Sequence, residues 1–270
     1  MAERGAGDGT VGKALEVLDQ VASFGRPVKF NELLNNSPFP KATLYRFVQT
    51  LTNQGMLSFD SEQGTYAPGA RLVRLAHAAW QQFSLAPVAR PFVDDLARDV
   101  GETIHLAQLD HAQVLYVDKR NASSPIEMYS SAGKVGPAYC TGVGKVMMAF
   151  LGDAELDPIL AQQSFHKFTD KTLTTVEDLR EELRDIRAHG YGFDREEHEP
   201  GIICVAVPIL NKSKRAIGAL SVTSSTGSQT LANLERLVPR ITSAANDIAR
   251  EVELWRFPDQ PTTKEKAETE

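Results

Sequence analysis

The residues best suited to chemistry begin with two glycines, Gly142 and Gly144, which stand where a loop passes into a helix-like stretch. Backbone N–H groups at a helix N-terminus form a seat for an anion when no Cβ stands in the way. The pair therefore indicates an anion seat, or else a tight turn in which glycine serves packing alone. We expect the next residue, Lys145, to point outward. A phosphate-binding P-loop is excluded, because that motif requires glycine where Tyr139 stands and Ser or Thr where Val146 stands.

Two hydroxyl groups are predicted to share one face of a strand. Ser221 and Thr223 are two residues apart, so their side chains point to the same side, while Leu220 and Val222 point into the core. Paired hydroxyls on a curved sheet can hydrogen-bond a ligand.

The sequence also holds two thiols and one acidic cluster, and neither has the spacing of a metal site. Cys140 and Cys204 are far apart and lack the CxxC or HxxxH pattern of metal ligands. The glutamates and histidine of residues 196–199 are interpreted as a solvated loop, and we predict no metal, no cofactor and no catalytic residue. Cys204 begins a run that is apolar on both faces, so we expect it to be buried. A thiol-dependent enzyme, with either cysteine as nucleophile and a nearby histidine as base, is one alternative.

A third polar set lies on a predicted helix near the N-terminus. One stripe of that helix is apolar at i, i+3, i+4, i+7 spacing and must face inward: Leu44, Phe47, Val48 and Leu51. The opposite face carries donors, acceptors and an aromatic ring but no acid. Between residues 25 and 59 the basic side chains are Arg26, Lys29, Lys41 and Arg46, against Glu32 alone. This local positive balance predicts contact with double-stranded DNA through Lys29, Lys41, Thr43, Tyr45, Arg46 and Gln49.

The elements around this face have the order of a winged helix-turn-helix domain. We predict helices at 11–22 and 30–35, a turn at 36–39, and a third helix with Pro40 in its first position. Strands at 56–59 and 65–67 form a hairpin around a polar, glycine-containing loop. The third helix of such a domain enters the major groove. Because one protomer has few cations for phosphate contacts, we expect a dimer that reads two half-sites.

The rest of the chain mixes strands and helices. Helices at 71–83 and 88–100 indicate a helical linker over residues 71–92. Hairpin-joined strands with separately collected helices favour an antiparallel sheet and an α+β fold. The predicted strands are 103–109, 113–119, 126–130, 191–194, 203–210 and 216–223, and the predicted helices are 142–151, 155–162, 176–189 and 231–255.

Composition sets the domain limits and the compartment. We expect disordered ends at 1–10 and 257–270, a DNA-binding domain at 11–70, and a second domain at 93–256. No apolar run approaches the roughly 20 residues of a membrane helix, and no secretory signal is recognisable. Two cysteines in 270 residues make no disulfide framework, so a cytoplasmic location is expected. The net charge of −6 excludes a protein coated in basic surface, but not a local basic element.

Several stretches resemble the IclR family of bacterial regulators, in order, over essentially residues 11–255. The stretches are 40–46, the counterpart of that family's recognition helix, and 137–145, 190–198, 201–208 and 219–223. The resemblance implies a GAF-like effector-binding domain and a homodimer or a dimer of dimers. It also implies a regulator, which we expect to be a repressor, of a catabolic operon under the control of a small, often carboxylate, metabolite.

The resemblance further implies which residues line the effector pocket: Gly142, Val143, Asp194, Cys204, Ser221 and Thr223. Some relatives have serine where Thr223 stands, so the added methyl group can alter the fit of the ligand. Asp194 would repel an acid beside an anion seat, unless it accepts a hydrogen bond from the ligand's other end. We therefore expect a small acid with a second polar group, such as a 2-oxo, hydroxy or sugar acid. A protein-binding adaptor that no longer binds DNA is the second alternative.

Overall fold

The computed structural model describes residues 9–124 and 127–254, which form two compact units that divide between Phe83 and Ser84. No helix in this part of the chain is long and apolar enough to cross a membrane. Of the termini predicted to be disordered, only Gly9 and Thr10 are described. They form the start of the first helix.

The first unit is a winged helix-turn-helix domain, as predicted. Its elements are α1 (Thr10–Ser23), β1 (Val28–Lys29), α2 (Phe30–Asn35), α3 (Lys41–Asn53), β2 (Leu57–Asp60), β3 (Thr65–Pro68) and α4 (Ala70–Phe83). The strands form an antiparallel sheet in the order β1-β3-β2. The stripe predicted on α3 is buried against Val17, Val21 and Leu33. Strand β1 was not predicted, because two residues are too few to show an alternating pattern. Pro40 is the N-cap residue of α3, one position before the first helical position that was predicted for it.

The second unit contains a six-stranded antiparallel sheet in the order β6-β5-β4-β9-β8-β7. Its elements are α5 (Ala86–Val100), β4 (Thr103–Asp110), β5 (Gln113–Arg120), β6 (Val135–Pro137), α6 (Gly142–Ala149), α7 (Asp153–Ala161), α8 (Val176–His189), β7 (Gly192–Arg195), β8 (Ile202–Leu210), β9 (Ala216–Ser225), α9 (Leu231–Glu235) and α10 (Val238–Leu254). Side chains of α6, α7 and α8 share one core with Ala107, Ala206 and Ala219 of the sheet. Helices α5 and α10 pack against each other and against the sheet. The α+β prediction is confirmed.

Two predicted elements of the second unit are wrong. Residues 127–130 are irregular, and the strand that pairs with β5 is Val135–Pro137 instead. The backbone N–H of Tyr129 binds the Glu199 carboxylate rather than a neighbouring strand. Ile126 and Trp255, the ends of two predicted elements, lie outside the described residues. The helix predicted at 231–255 is divided into α9 and α10, and Pro239, which has no N–H to donate, lies in the first turn of α10, where no N–H is needed.

The predicted linker, residues 71–92, covers α4 and the first part of α5. Helix α5 begins at Ala86, with Pro87 in its first turn and Pro91 inside it. The two linker helices therefore belong to different compact units.

Candidate functional site

The outer face of α3 is open. Lys41, Tyr45 and Arg46 are exposed, and Thr43 and Gln49 are half-buried. Lys29 is exposed at the end of β1. Within residues 9–124 and 127–254, neither Lys41 nor Arg46 has a carboxylate at ion-pair distance. These cations are therefore available to a polyanion, which is what a recognition helix requires.

Not every polar side chain near α3 is equally available. Gln49 is half-buried and lies near Tyr66, the buried tyrosine of β3. Arg26, which contributes to the local positive charge, is paired with Glu32 at 2.6 Å. Lys41 and Arg46 are thus exposed without an ion pair among the described residues, whereas the charge of the exposed Lys29 is partly offset by Glu32.

The six residues predicted to line an effector pocket all line one cavity in the second unit. The cavity encloses about 400 Å³ of empty space, counting its opening to solvent. Its walls come from the start of α6 and from β4, β5, β7, β8 and β9. The further lining residues are His105, Tyr116, Met128, Tyr129, Ser130, Thr141, His198, Glu199 and Ile202.

The start of α6 agrees with both interpretations of its glycines, namely an anion seat and a tight turn required by packing. A Cβ on Gly142 would lie 2.5 Å from Sγ of Cys204, and one on Gly144 would lie 2.3 Å from the carbonyl oxygen of Ala138. Close packing therefore requires glycine at both positions. The hydroxyl of Thr141 donates to the carbonyl oxygen of Pro137 at 2.8 Å, so no side chain caps the helix. The first N–H groups of α6 therefore receive no side-chain cap, and they belong to the part of the helix where Gly142 and Val143 line the cavity.

Lys145 does not point outward, and this prediction was wrong. All eight residues of α6 are buried, so the Lys145 side chain has no route to water. Its Nζ lies 2.5 Å from Glu197 Oε1 and 3.0 Å from Glu182 Oε1. Glu197 is 3% exposed, so the interpretation of residues 196–199 as a solvated loop also fails at this position. A buried lysine requires such partners, because an unpaired charge in the interior is costly.

The carboxyl of Asp194 is buried in the pocket wall. Burial, together with the nearby charge of Glu197, raises its pKa to about 7. The N–H of Glu197, which donates to Asp194 Oδ1 at 2.7 Å, and the Lys145 charge oppose that rise. Near neutral pH the carboxyl is half protonated, so it can also donate a hydrogen bond to an acid. The repulsion expected between Asp194 and an acidic ligand is correspondingly weakened.

His105 on β4 lies at the centre of a hydrogen-bond network that the sequence did not reveal. Its Nε2 lies 2.7 Å from Ser130 Oγ, and its Nδ1 lies 3.2 Å from Thr223 Oγ1 and 3.4 Å from Ser221 Oγ. Burial, and secondarily the charge of Lys119, lowers the pKa of His105 to about 3. The ring is neutral, and it orients both hydroxyls predicted to meet a ligand. Strand alternation could have found it, since His105 shares a face with Ala107.

Tyr129, His198 and Glu199 form the mouth of the pocket, and they too were missed. The N–H of Tyr129 lies 3.0 and 3.1 Å from the two carboxylate oxygens of Glu199. The rings of Tyr129 and His198 meet edge to face at 5.5 Å between centroids. These residues come from irregular segments far apart in sequence, so no periodicity could have brought them together.

The two thiols lack the properties of a nucleophile. Burial raises the pKa of Cys204 to about 12, and burial followed by the charge of Asp194 raises the pKa of Cys140 well above its ordinary value. Both thiols are protonated at neutral pH, whereas a reactive cysteine requires a thiolate. Among the described residues, no group of three or more His, Cys, Asp or Glu side chains is arranged to hold a metal ion.

A winged helix with free cations, joined in one chain to a sheet domain with a polar pocket, defines the class of ligand-responsive DNA-binding regulators. The IclR helix-turn-helix domain matches residues 10–61, and the C-terminal domain of the bacterial transcriptional regulator IclR matches residues 77–250. The chain belongs to the IclR family of bacterial transcriptional regulators and is not an enzyme. Membership in this family implies binding of DNA and of a small-molecule effector.

Individual relatives agree with this assignment. The HTH-type transcriptional regulator XynR of Escherichia coli is 33% identical over 217 residues, which cover 80% of this chain and 86% of XynR. The crystal structure of IclR from Thermotoga maritima has a TM-score of 0.72 and 28% identity, and the match covers 90% of this chain and 98% of that one. An IclR homologue from Microbacterium hydrocarbonoxydans, crystallised with 4-hydroxybenzoate, has a TM-score of 0.77 over 91% and 99% of the two chains. At 22% identity, that similarity shows the fold alone.

Proposed function

We propose that this chain is a homodimeric repressor of a catabolic operon. A small carboxylate effector either releases the repressor from its operator or keeps it bound there. The observation that carries the proposal is the convergence of Gly142, Val143, Asp194, Cys204, Ser221 and Thr223 on one cavity. A regulator of this kind acts beside the chromosome, which places it in the bacterial cytoplasm.

The DNA contact is assigned to α3 and to the end of β1. Lys29, Lys41 and Arg46 supply the cations, and Thr43, Tyr45 and Gln49 supply hydrogen bonds to phosphates or base edges. Arg46 is suited to a bidentate contact with guanine, since its guanidinium has no ion-pair partner among the described residues. The exposed position of this face supports the proposal against an adaptor that no longer binds DNA.

A dimer is supported by apolar residues left exposed in the first unit. The exposed fractions are 75% for Val11 and 48% for Leu15 on α1, and 71% for Val73 and 50% for Leu75 on α4. Exposed apolar side chains in the first unit are candidates for burial by a second copy of the chain. A second copy of the chain also doubles the phosphate contacts that one protomer can make. Pairing of two dimers on longer operators is the further assembly we propose.

The effector is assigned to small acids with a second polar group, such as 2-oxo, hydroxy or sugar acids. Its carboxylate would accept hydrogen bonds from the uncapped N–H groups of α6. Its polar end would meet the hydroxyls of Ser221 and Thr223, which His105 orients. The 4-hydroxybenzoate bound by the Microbacterium homologue, an acid with a second polar group, is consistent with this class.

The DNA-binding proposal can be tested even though the operator sequence is not known. Purified protein selects duplexes from a random pool, and the enriched sequence is then used in retardation assays. We expect Lys41→Ala combined with Arg46→Ala to abolish retardation, whereas Lys171→Ala, a lysine of the second unit, leaves it intact. Absence of any enriched duplex would instead support the adaptor.

A reporter gene downstream of the selected sequence distinguishes repression from activation. Expression should fall when the wild-type chain is produced and recover with the Lys41→Ala, Arg46→Ala variant. Increased expression with the wild-type chain would assign activation instead. A thermal-shift screen of small carboxylates tests the pocket, because a ligand of the native state raises the melting temperature.

A further inference from the structure

Among the described residues, the pocket wall contains carboxyl groups but no lysine or arginine side chain. Its ionisable groups, apart from the Cys204 thiol, are two carboxyls, two imidazoles and two phenols, and none of its lining residues is Lys or Arg. These groups belong to Asp194, Glu199, His105, His198, Tyr116 and Tyr129. The start of α6 is therefore the one favourable place for negative charge in this wall.

The lysines nearest to the pocket are engaged elsewhere. Lys145 is buried between Glu197 and Glu182. Lys119 donates from Nζ to the carbonyl oxygen of Ser130 at 2.8 Å. Lys134 donates to the carbonyl oxygen of Tyr129 at 2.9 Å, and its ammonium lies over the ring of the same tyrosine. None of these three side chains lines the cavity, so none can pair directly with a second carboxylate on a ligand.

Glu199 is held in place as an ionised group. Both of its oxygens lie within 3.1 Å of the Tyr129 N–H, and Nδ1 of His198 lies 3.6 Å from Oε1. Burial by itself would raise the pKa of Glu199, but its contacts with His198 and the Tyr129 N–H, together with the charges of His198 and Lys119, hold that pKa below its ordinary value. The carboxylate therefore keeps its negative charge at neutral pH, in contrast to Asp194.

We propose that Glu199 sets the charge specificity of the pocket, restricting the effector to monocarboxylates whose far end is an uncharged or cationic hydrogen-bond donor. This inference rests on the proposed effector pocket. A ligand with its first carboxylate at α6 would bring a second one into the field of Glu199, where no lysine or arginine among the described lining residues can pair with it. Like charges in a partly desolvated site repel strongly, so dicarboxylates are rejected. A hydroxyl or ammonium group at the same end donates to Glu199.

Matched acids test this inference. In one pair, glycerate and tartronate, and in another, 4-hydroxybutyrate and succinate, a terminal hydroxymethyl group is replaced by a second carboxylate. Titration calorimetry on the full chain at pH 7.5 should show the hydroxy acid of a pair binding roughly tenfold or more tightly than its diacid. The Glu199→Gln variant, which keeps the shape but loses the charge, should reduce that ratio towards one.

Two further variants separate charge from structure. Glu199→Asp keeps the charge and should keep the preference for hydroxy acids, even where binding of both ligands weakens. Glu181→Gln makes the same chemical change at an exposed position of α8 and should leave the ratio unaltered. If the glutamine variant does not fold, Glu199→Ala provides the neutral comparison.

The outcomes distinguish this inference from the function on which it rests. If the wild-type chain binds hydroxy acids and diacids equally, or if Glu199→Gln keeps the discrimination, the role of Glu199 is overturned while the carboxylate pocket stands. If neither pair binds to the wild-type chain, the proposed pocket itself is contradicted, and the inference with it.

Discussion

Lys145 shows how one buried side chain connects three parts of the second unit. Its ammonium joins α6 to Glu182 on α8 and to Glu197 in the loop between β7 and β8. The N–H of Glu197 in turn donates to Asp194 at the pocket wall. Lys145, on the helix whose start lies at the cavity, is thus linked through Glu197 to the Asp194 carboxyl of the pocket wall.

We expect Lys145→Met to lower the free energy of unfolding by about 3 kcal/mol, because it leaves the buried charge of Glu197 with only the more distant Arg195, at 3.9 Å, as a cationic partner. The double variant Lys145→Met, Glu197→Gln removes both charges and should recover part of that loss. Urea denaturation of the wild type and the two variants provides the measurement. Equal midpoints for Lys145→Met and the wild type would contradict the role of this ion pair.

Asp194 and His105 should influence stability in opposite directions as the pH changes. The pKa of Asp194 is about 7 in the folded chain against an ordinary 3.8, so the folded state holds the extra proton between these values. Its contribution to stability is present at low pH and is lost as the pH rises towards 7. The pKa of His105 is about 3 against an ordinary 6.5, so its contribution is present above 6.5 and is lost as the pH falls.

Replacing Asp194 with asparagine should therefore remove the first contribution and leave the second. Relative to the wild type, the melting temperature of Asp194→Asn should rise more steeply between pH 4 and 7. Thermal unfolding across that range checks the slope, and Asp178→Asn, an exposed aspartate of α8, is the control. Parallel melting curves for wild type and Asp194→Asn would show that the carboxyl titrates normally.

At the scale of elements, the spacing of apolar residues correctly predicted the features that depend on a single helix or strand. The apolar stripe of α3 is visible as a spacing because the same helix face is buried along its whole length. The predictions failed where contacts between segments distant in sequence determine the local structure. Residues 127–130 have a β-like composition, yet Glu199 binds the Tyr129 N–H. The outward orientation expected for Lys145 was wrong because its partners, Glu182 and Glu197, come from other elements.

The same limit applies to the site. The six predicted pocket residues were transferred from motifs, each of which is local in sequence. His105, Tyr129 and Glu199 were missed because the tertiary fold alone brings them together. His105 has a detectable signal in the alternation of β4, whereas Tyr129 and Glu199 lie in irregular chain and have none.

The electrostatic contribution of α3 should be measurable as a salt dependence. A dimer with Lys29 and Lys41 exposed in each copy can make about four phosphate contacts, for a slope of log affinity against log salt near −4. Lys41→Gln removes one contact per copy and should make the slope shallower by about 2. Fluorescence anisotropy with the selected duplex at increasing salt gives both values. An unchanged slope would show that Lys41 makes no phosphate contact.

At the scale of the whole molecule, the proposed dimer would present two DNA-reading helices as a pair. A ligand in the second unit can shift DNA affinity only by binding differently to two states of the assembly. A monomer with one α3 would make half the contacts and would have no spacing between helices to change. The exposed apolar residues of α4 are therefore the expected determinants of both assembly and response.

We expect Val73→Glu to convert the dimer into a monomer, because it places a charge on apolar surface that a second copy would bury. Light scattering coupled to size exclusion should show the mass falling from two chains to one, and retardation of the selected duplex should weaken. Leu254→Glu is the matched control, since Leu254 is 77% exposed and Val73 is 71% exposed, but Leu254 lies in the second unit. If both variants remain dimeric, α4 is not the dimer contact, and the pairing of α3 helices must depend on another surface.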